Sequence, residues 1–299
     1  MFIVSLSIAS VLFGQQEPMY THYAFNTQSV NPAYAGSRNV LSVTALNRAQ
    51  WLGMPGAPLT QNININTPLA NNKLGAGLSF TNDKAGPTNT TGIFGDIAAR
   101  IKFGPHGKLA VGMKVGMNFR NSQLAGLQTD QPNDPSFTSN VQSKVMPNLG
   151  FGVYYSNRKF YLGFGAPHLI KNKLDNNANT TERHFYAIAG GMFNLKKDGS
   201  IKMRPSAFLK IANGAKPQLD LTALIYVKDK FWVGPMFRTS DALGVLAGAK
   251  LTDQFSVGYS FDWSYGVNTG RYNGGSHELM LQYDFIFKQK GKIESPRYF

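Results

Sequence analysis

Segment after segment of this chain alternates apolar and polar side chains with a period of two, and that pattern limits the fold more than any other feature. It is plainest over Lys108 to Arg120. Leu109, Val111, Met113, Val115, Met117 and Phe119 share one face, while Lys108, Gly112, Lys114, Gly116, Asn118 and Arg120 share the other. Only an extended strand puts alternate residues on opposite faces. The same alternation places Leu41, Val43 and Ala45 opposite Ser42, Thr44 and Arg48 in Asn39 to Trp51. It also sets Ile93, Ile97 and Ile101 against Asp96, Arg100 and Lys102 in Thr90 to Lys102.

Further strands are predicted at Leu59 to Thr67, Lys73 to Thr81, Val145 to Tyr155, Lys159 to Ala166, Arg183 to Phe193 and Ile201 to Ile211. Others follow at Gln218 to Val227, Phe231 to Arg238, Ala242 to Leu251, Phe255 to Asp262 and Ser276 to Phe287. These make about fourteen strands of about 8 to 13 residues, the length a tilted strand needs to cross a bilayer.

The connections alternate as well. Short turns (Asn71-Asn72, Ser156 to Arg158, Lys228 to Lys230, Thr252 to Gln254) are interleaved with longer loops (Leu52 to Pro58, Asp83 to Asn89, Asn121 to Ser143, Pro167 to Glu182, Trp263 to Gly275). Short turns on the periplasmic side and long loops outside are the pattern of outer-membrane barrels. One strand face suits lipid and the other, rich in Gly, Ser, Asn and charge, suits a polar interior. Trp51, Tyr155, Tyr161, Trp232, Tyr259, Trp263 and Tyr283 fall near strand ends, where an interfacial girdle is expected. Only 15% of residues are charged, below the roughly one quarter usual in soluble domains. The expected fold is therefore all-β, a transmembrane antiparallel barrel of about fourteen strands. A soluble all-β domain is the competing reading.

The formal net charge is +14, from 30 Lys and Arg against 16 Asp and Glu. The basic residues are spread over strands and turns, which argues against nucleic acid and for anionic lipid headgroups or an acidic protein partner. Cysteine is absent, which excludes disulfides and thiolate chemistry. Met1 to Gly14 has the apolar length of a signal-peptide core and is too short to span a bilayer, although no Lys or Arg precedes it. The expected organisation is residues 1–14 as signal peptide, 15–38 as an N-terminal periplasmic or plug segment, 39–287 as the barrel and 288–299 as a periplasmic tail.

No catalytic chemistry is legible. The histidines His22, His106, His168, His184 and His277 have no metal-ligand spacing. There is no nucleophile elbow and no phosphate-binding loop. Asp96, His168, Asp262 and His277 could be assembled into a rim site, as could similar residues of any large β-protein. Arg100, Lys114, Arg120, Arg204 and Lys210 on inward faces are expected to line or pack a polar lumen. No enzyme activity, cofactor or metal is expected.

One stretch breaks the strand pattern. Tyr20 to Gly36, YTHYAFNTQSVNPAYAG, is dense in aromatics, Asn and Pro. Its Y-x-x-Y-x-F-N (Tyr20, Tyr23, Phe25, Asn26) followed by N-P-A-Y-A-G (Asn31, Pro32, Ala33, Tyr34, Ala35, Gly36) resembles the start of the PorP/SprF family of Bacteroidetes. The final strand HELMLQYDFIF and the end Ser295-Pro296-Arg297-Tyr298-Phe299 are also similar to that family. The resemblance implies an outer-membrane barrel of the type IX secretion and gliding machinery. Its partners would be periplasmic secretion components on one side and a secreted surface protein or adhesin on the other.

Thr21 to Ser29 is expected to form a short helix that Asn31-Pro32 breaks. Tyr20, His22, Tyr23, Phe25, Asn26, Asn31, Pro32, Tyr34 and Gly36 are the candidate plug or partner-binding residues. Tyr20, Tyr23, Phe25 and Tyr34 would pack into or under the periplasmic mouth. Ser295, Pro296, Arg297, Tyr298 and Phe299 end a basic tail suited to docking on another protein. Two functions compete: a non-enzymatic accessory for export or surface anchoring, and a general diffusion porin.

Overall fold

A computed structural model describes residues 17–70, 72–125, 140–174, 180–265 and 272–286. Strands β1 (Leu41–Ala49), β2 (Leu59–Leu69), β3 (Leu74–Ala85), β4 (Thr88–Phe103) and β5 (Gly107–Ser122) follow one another as antiparallel neighbours. β6 (Val141–Ser156), β7 (Phe160–His168) and β8 (His184–Gly191) continue the series, and β10 (Ile201–Ala212) pairs with both β8 and β9 (Phe193–Asn194). The wall is completed by β11 (Gln218–Val227), β12 (Phe231–Arg238), β13 (Ala242–Lys250), β14 (Phe255–Ser264) and β15 (Ser276–Phe285). β15 pairs with β1, Leu41 opposite Phe285 and Ala49 opposite His277, and the sheet is closed. Closure removes the edges that lipid could not hydrogen-bond.

β8 and β9 are two parts of one stave. Both pair with β10 in a single register, Gly190 opposite Ser206 and Asn194 opposite Lys202. The ladder lapses between them, opposite Pro205, a residue with no N–H to give. The barrel thus has fourteen staves.

The alternation is realised along most of the wall, most plainly on β4 and β5. On β4 and β5, Ile93, Ile97, Val111, Met113 and Val115 point out to lipid. Asp96, Arg100 and Lys114 point in and are buried. All connections at the β2–β3, β4–β5, β6–β7, β9–β10, β11–β12 and β13–β14 end are short, and the long loops share the opposite end.

Several boundaries differ from the sequence-based expectation. The loop expected at Asp83 to Asn89 is mostly strand, and only Gly86-Pro87 turns between β3 and β4. Asp83 and Asn89 read as loop because strand ends that rise beyond lipid carry polar residues on both faces. Trp51 lies past β1 in the left-handed region, φ 47°. Tyr161 and Trp232 are only 1% and 4% exposed and face the lumen, so they leave the girdle. Their outward neighbours Phe160, Leu162, Phe231 and Val233 take the lipid side. Tyr259, Trp263 and Tyr283 are exposed on the outer surface. The tail 288–299, with Ser295 to Phe299, and the leader 1–14 lie outside the described residues.

Val115, near the middle of β5 and 59% exposed on the lipid face, gives a direct test of which side is out. Val115→Arg is expected to destabilise the reconstituted barrel by about 2–4 kcal/mol. Urea unfolding in vesicles measures this. Phe231→Arg, at a strand end, should cost no more than about 1 kcal/mol.

Candidate functional site

The lumen is occupied by the chain's own N-terminal segment. Glu17 lies near His168 and His184 at the long-loop end, and Gly36 lies against Gly75 at the short-turn end. The segment therefore threads the barrel before entering β1. It does not stop at the periplasmic mouth, where the count of strands alone put it. The helix expected over Thr21 to Ser29 is shorter. Turns span 21–25, and α1 covers only Thr27–Val30.

The upper half of the segment is held by a buried ionic cluster. Glu278 accepts the backbone N–H of Thr21 at 2.9 Å and that of His22 at 2.8 Å. It also accepts the His22 Nδ1–H at 2.7 Å; a carboxylate only accepts, which fixes that tautomer. Arg48 donates to the Thr21 hydroxyl at 2.8 Å and pairs with Asp262 at 2.7 Å and Glu278 at 3.3 Å. Arg238 pairs with Asp220 at 2.9 Å, and Thr21 donates to Asp262 at 2.6 Å. Two guanidinium groups thus face three buried carboxylates, and the N–H groups of Thr21 and His22 help to satisfy the third. Buried ions need such paired and hydrogen-bonded partners.

The aromatic residues pack on several staves of the wall. Tyr23 stacks on Phe208 at 4.9 Å, and its hydroxyl donates to the Ser206 carbonyl at 3.2 Å. Phe25 is held between Trp232, stacked at 5.5 Å, and the Arg204 guanidinium, 4.9 Å from its ring. Tyr20 is buried in the cluster with Leu46 and Met280. Asn26 donates to Asn62 at 3.0 Å and accepts from Asn64, which accounts for the inward amides of the QNININ strand. Gln28 donates to Asp96 at 3.0 Å, and Lys114 pairs with the same carboxylate at 3.0 Å.

The lower half is the NPAYAG motif, and its letters have separate roles. Asn31 accepts the Ala33 N–H at 3.0 Å, capping a 3-10 turn at Pro32–Tyr34, and donates to the Val153 carbonyl at 2.9 Å. Pro32 begins that turn, where its missing N–H costs nothing. Tyr34 meets Tyr154 edge-on at 5.3 Å. Gly36 has φ +73°, which favours glycine. The wall facing the motif is stripped of side chains. A Cβ on Gly75 would strike the Ala35 carbonyl, one on Gly112 would strike Ala33, and one on Gly165 would strike the Val30 carbonyl.

Three of the inward cations named from sequence bind carbonyls of this segment. Arg100 donates to Gly36, Arg204 to Ala24 at 3.0 Å and Lys210 to Glu17 at 3.3 Å. Lys114 holds Asp96, and Arg120 lines a cavity of about 380 Å³ toward the long-loop end. The four residues weighed for catalysis are dispersed. Asp96 and Asp262 serve the ionic contacts above, His168 binds Glu17, and His277 lies on the outer surface beside Tyr259. Among the described residues no group of three or more acidic or histidine side chains could hold a metal. Sequence reasoning missed Glu17, Thr21, Gln28, Arg48, Asp220, Arg238 and Glu278. The inward parity of the four wall residues Arg48, Asp220, Arg238 and Glu278 was legible, but the partners of Glu278 in the N-terminal segment lie far away in the chain.

A closed antiparallel barrel with a lipid-facing apolar belt, filled by its own polar N-terminal segment, defines an outer-membrane β-barrel protein. The model of the family described as type IX secretion system membrane protein PorP/SprF matches residues 12–283. The chain belongs to that family, and its place is the outer membrane. Its fold is similar to that of the outer-membrane protein Omp33 of Acinetobacter baumannii, at 11% identity and TM-score 0.50 over 83% of this chain and 100% of that one. The NanC porin aligns at 10% identity and TM-score 0.44, covering 83% and 100%. No curated protein matches the chain.

Two expectations follow from these contacts. Glu278→Ala strands two buried backbone N–H groups and the His22 ring N–H and takes one carboxylate from Arg48, and should cost about 3–5 kcal/mol, read as a lower temperature for the heat-induced gel shift. Gly165→Leu, which pushes on the segment without touching the ionic cluster, should lower it too. A second test concerns Glu17. Burial alone would raise its carboxyl, but His168, with smaller help from His184 and Tyr186, reverses this and holds it at about 2. A depressed carboxyl stabilises the fold above its ordinary value near 4.5, and that stability is lost as pH falls toward about 2. Glu17→Gln should flatten the loss of unfolding free energy across that window.

Proposed function

We propose that the protein is a non-enzymatic barrel of the type IX secretion and gliding machinery that assists export or surface anchoring of a partner protein such as an adhesin. One observation carries the choice of accessory over porin. The segment from Glu17 to Gly36 is bonded to β2, β4, β10 and β15 at once, and so ties together walls on opposite sides of the lumen. A diffusion pore needs a continuous aqueous path. Here the lower half is filled by backbone in contact with backbone, and a cavity of about 380 Å³ lies toward the long-loop end.

Without an open path, the protein works through its two ends. The long loops face outward, toward an exported protein. The short-turn end and the basic tail from Lys288 face the periplasm, where secretion components sit. The tail residues Ser295, Pro296, Arg297, Tyr298 and Phe299 are its docking end.

In planar bilayers the purified protein is expected to give no stable conductance; porin-like steps would favour the diffusion reading. Deleting the protein from cells should remove particular surface proteins and leave small-solute permeability unchanged. Crosslinked partners captured from cells should change when the chain is truncated before Lys288, and an unchanged set removes the docking role of the tail.

A further inference from the structure

A set of exposed cations at the short-turn end takes no part in the contacts of the lumen. Lys73 on the β2–β3 turn, Lys102 at the β4–β5 turn, and Arg158 and Lys159 on the β6–β7 turn are all exposed. So are Lys196 and Lys197 between β9 and β10, and Lys228 and Lys230 between β11 and β12. Five of the six short turns thus carry exposed cations. The sixth, between β13 and β14, sets Lys250 3.9 Å from Asp253. The other acids in these described turns are engaged as well. Asp229 pairs with Lys202 at 2.6 Å, and Asp198 accepts the Ser200 N–H at 3.0 Å.

The depth of these cations is set by their neighbours. Phe103, Phe160 and Phe231 are 58%, 47% and 58% exposed on the lipid-facing side. Each stands one residue from Lys102, Lys159 or Lys230. Exposed aromatic rings at strand ends mark the boundary between hydrocarbon and headgroups. Lys159 and Lys230 stand one strand residue beyond their rings toward the turn, a rise of about 3.3 Å that places their ammonium groups at the level of lipid phosphates, whereas Lys102 stands one residue inside Phe103.

We propose that the short-turn rim is a binding surface for the phosphate groups of anionic phospholipids in the leaflet it faces. A ring of cations around the circumference, at headgroup depth, matches a lipid annulus. A protein partner would need a patch on one side or across the mouth. Lysine predominates, as suits point-charge attraction to mobile phosphates. The rim thereby fixes the vertical position of the barrel and gathers anionic lipid around it. The inference is independent of the proposed export role.

The test uses the full-length protein in phosphatidylcholine nanodiscs containing a minor fraction of spin-labelled phosphatidylglycerol. The immobilised fraction of that label is compared with that of spin-labelled phosphatidylcholine. The native protein should immobilise phosphatidylglycerol several-fold more strongly, with the preference falling as salt is raised. Combining Lys159→Gln, Lys197→Gln, Lys228→Gln and Lys230→Gln should bring the two lipids close to parity while the heat-induced gel shift stays normal. Lys171→Gln with Lys216→Gln, at the long-loop end, should leave the preference intact. Equal immobilisation of both lipids by the native protein overturns the proposal. So does a rim variant that keeps the full preference. If that variant instead loses a crosslinked acidic periplasmic protein in cells, the rim is a protein-docking surface.

Discussion

Glu278 is the anchor on which the interior depends. Its carboxylate is buried on β15, beside the seam with β1, and receives two successive backbone N–H groups and a histidine ring N–H from the N-terminal segment. At a position with no exposed surface, a carboxylate left unsatisfied would be among the most costly groups in the molecule. Arg48 from β1, Asp262 from β14 and Arg238 from β12 complete the cluster. The cluster therefore joins the closing strands of the barrel to the segment that fills it. Folding of the wall and seating of the segment become parts of one event, since neither set of polar groups is satisfied without the other.

The same logic explains the division of the lumen. On the β12–β15 side the wall supplies charge, and the segment answers with N–H groups and a hydroxyl. On the β3–β7 side the wall supplies glycine, and the segment answers with the compact NPAYAG turn lying directly on the strands. Between them, inward cations cap the carbonyls that a non-helical, non-strand segment leaves unpaired, as Arg204 does for Ala24 and Arg100 does for Gly36. The segment is therefore read by the wall along its whole length.

Much of the wall was legible in the sequence. A period of two is a local property, and β5 could be assigned from Lys108 to Arg120 with both faces correct. The count of fourteen staves followed from the same signal. Strand ends were harder. β3 and β4 run on past Thr81 and before Thr90, where lipid no longer imposes an apolar face and Asp83, Lys84 and Asn89 look like loop. Tyr161 and Trp232 were assigned by residue type, although the parity of Phe160 and Phe231 already pointed them inward. The family motif marked the N-terminal segment as special, and its aromatics pack against the wall. What local pattern could not provide was pairing across more than two hundred residues, as between Thr21 and Glu278. Nor could it tell that Gly112 and Gly165 are seats for backbone and not merely small lumen residues.

Hydrogen exchange resolved to single amides is the most direct test that the N-terminal segment is built into the folded barrel. In the reconstituted protein, the amides of Thr21, His22 and Ala33, which donate to Glu278 and Asn31, should exchange as slowly as those of the central wall strands. Exchange at these three positions at the rate of the exposed turns, while the strands stay protected, would contradict the account.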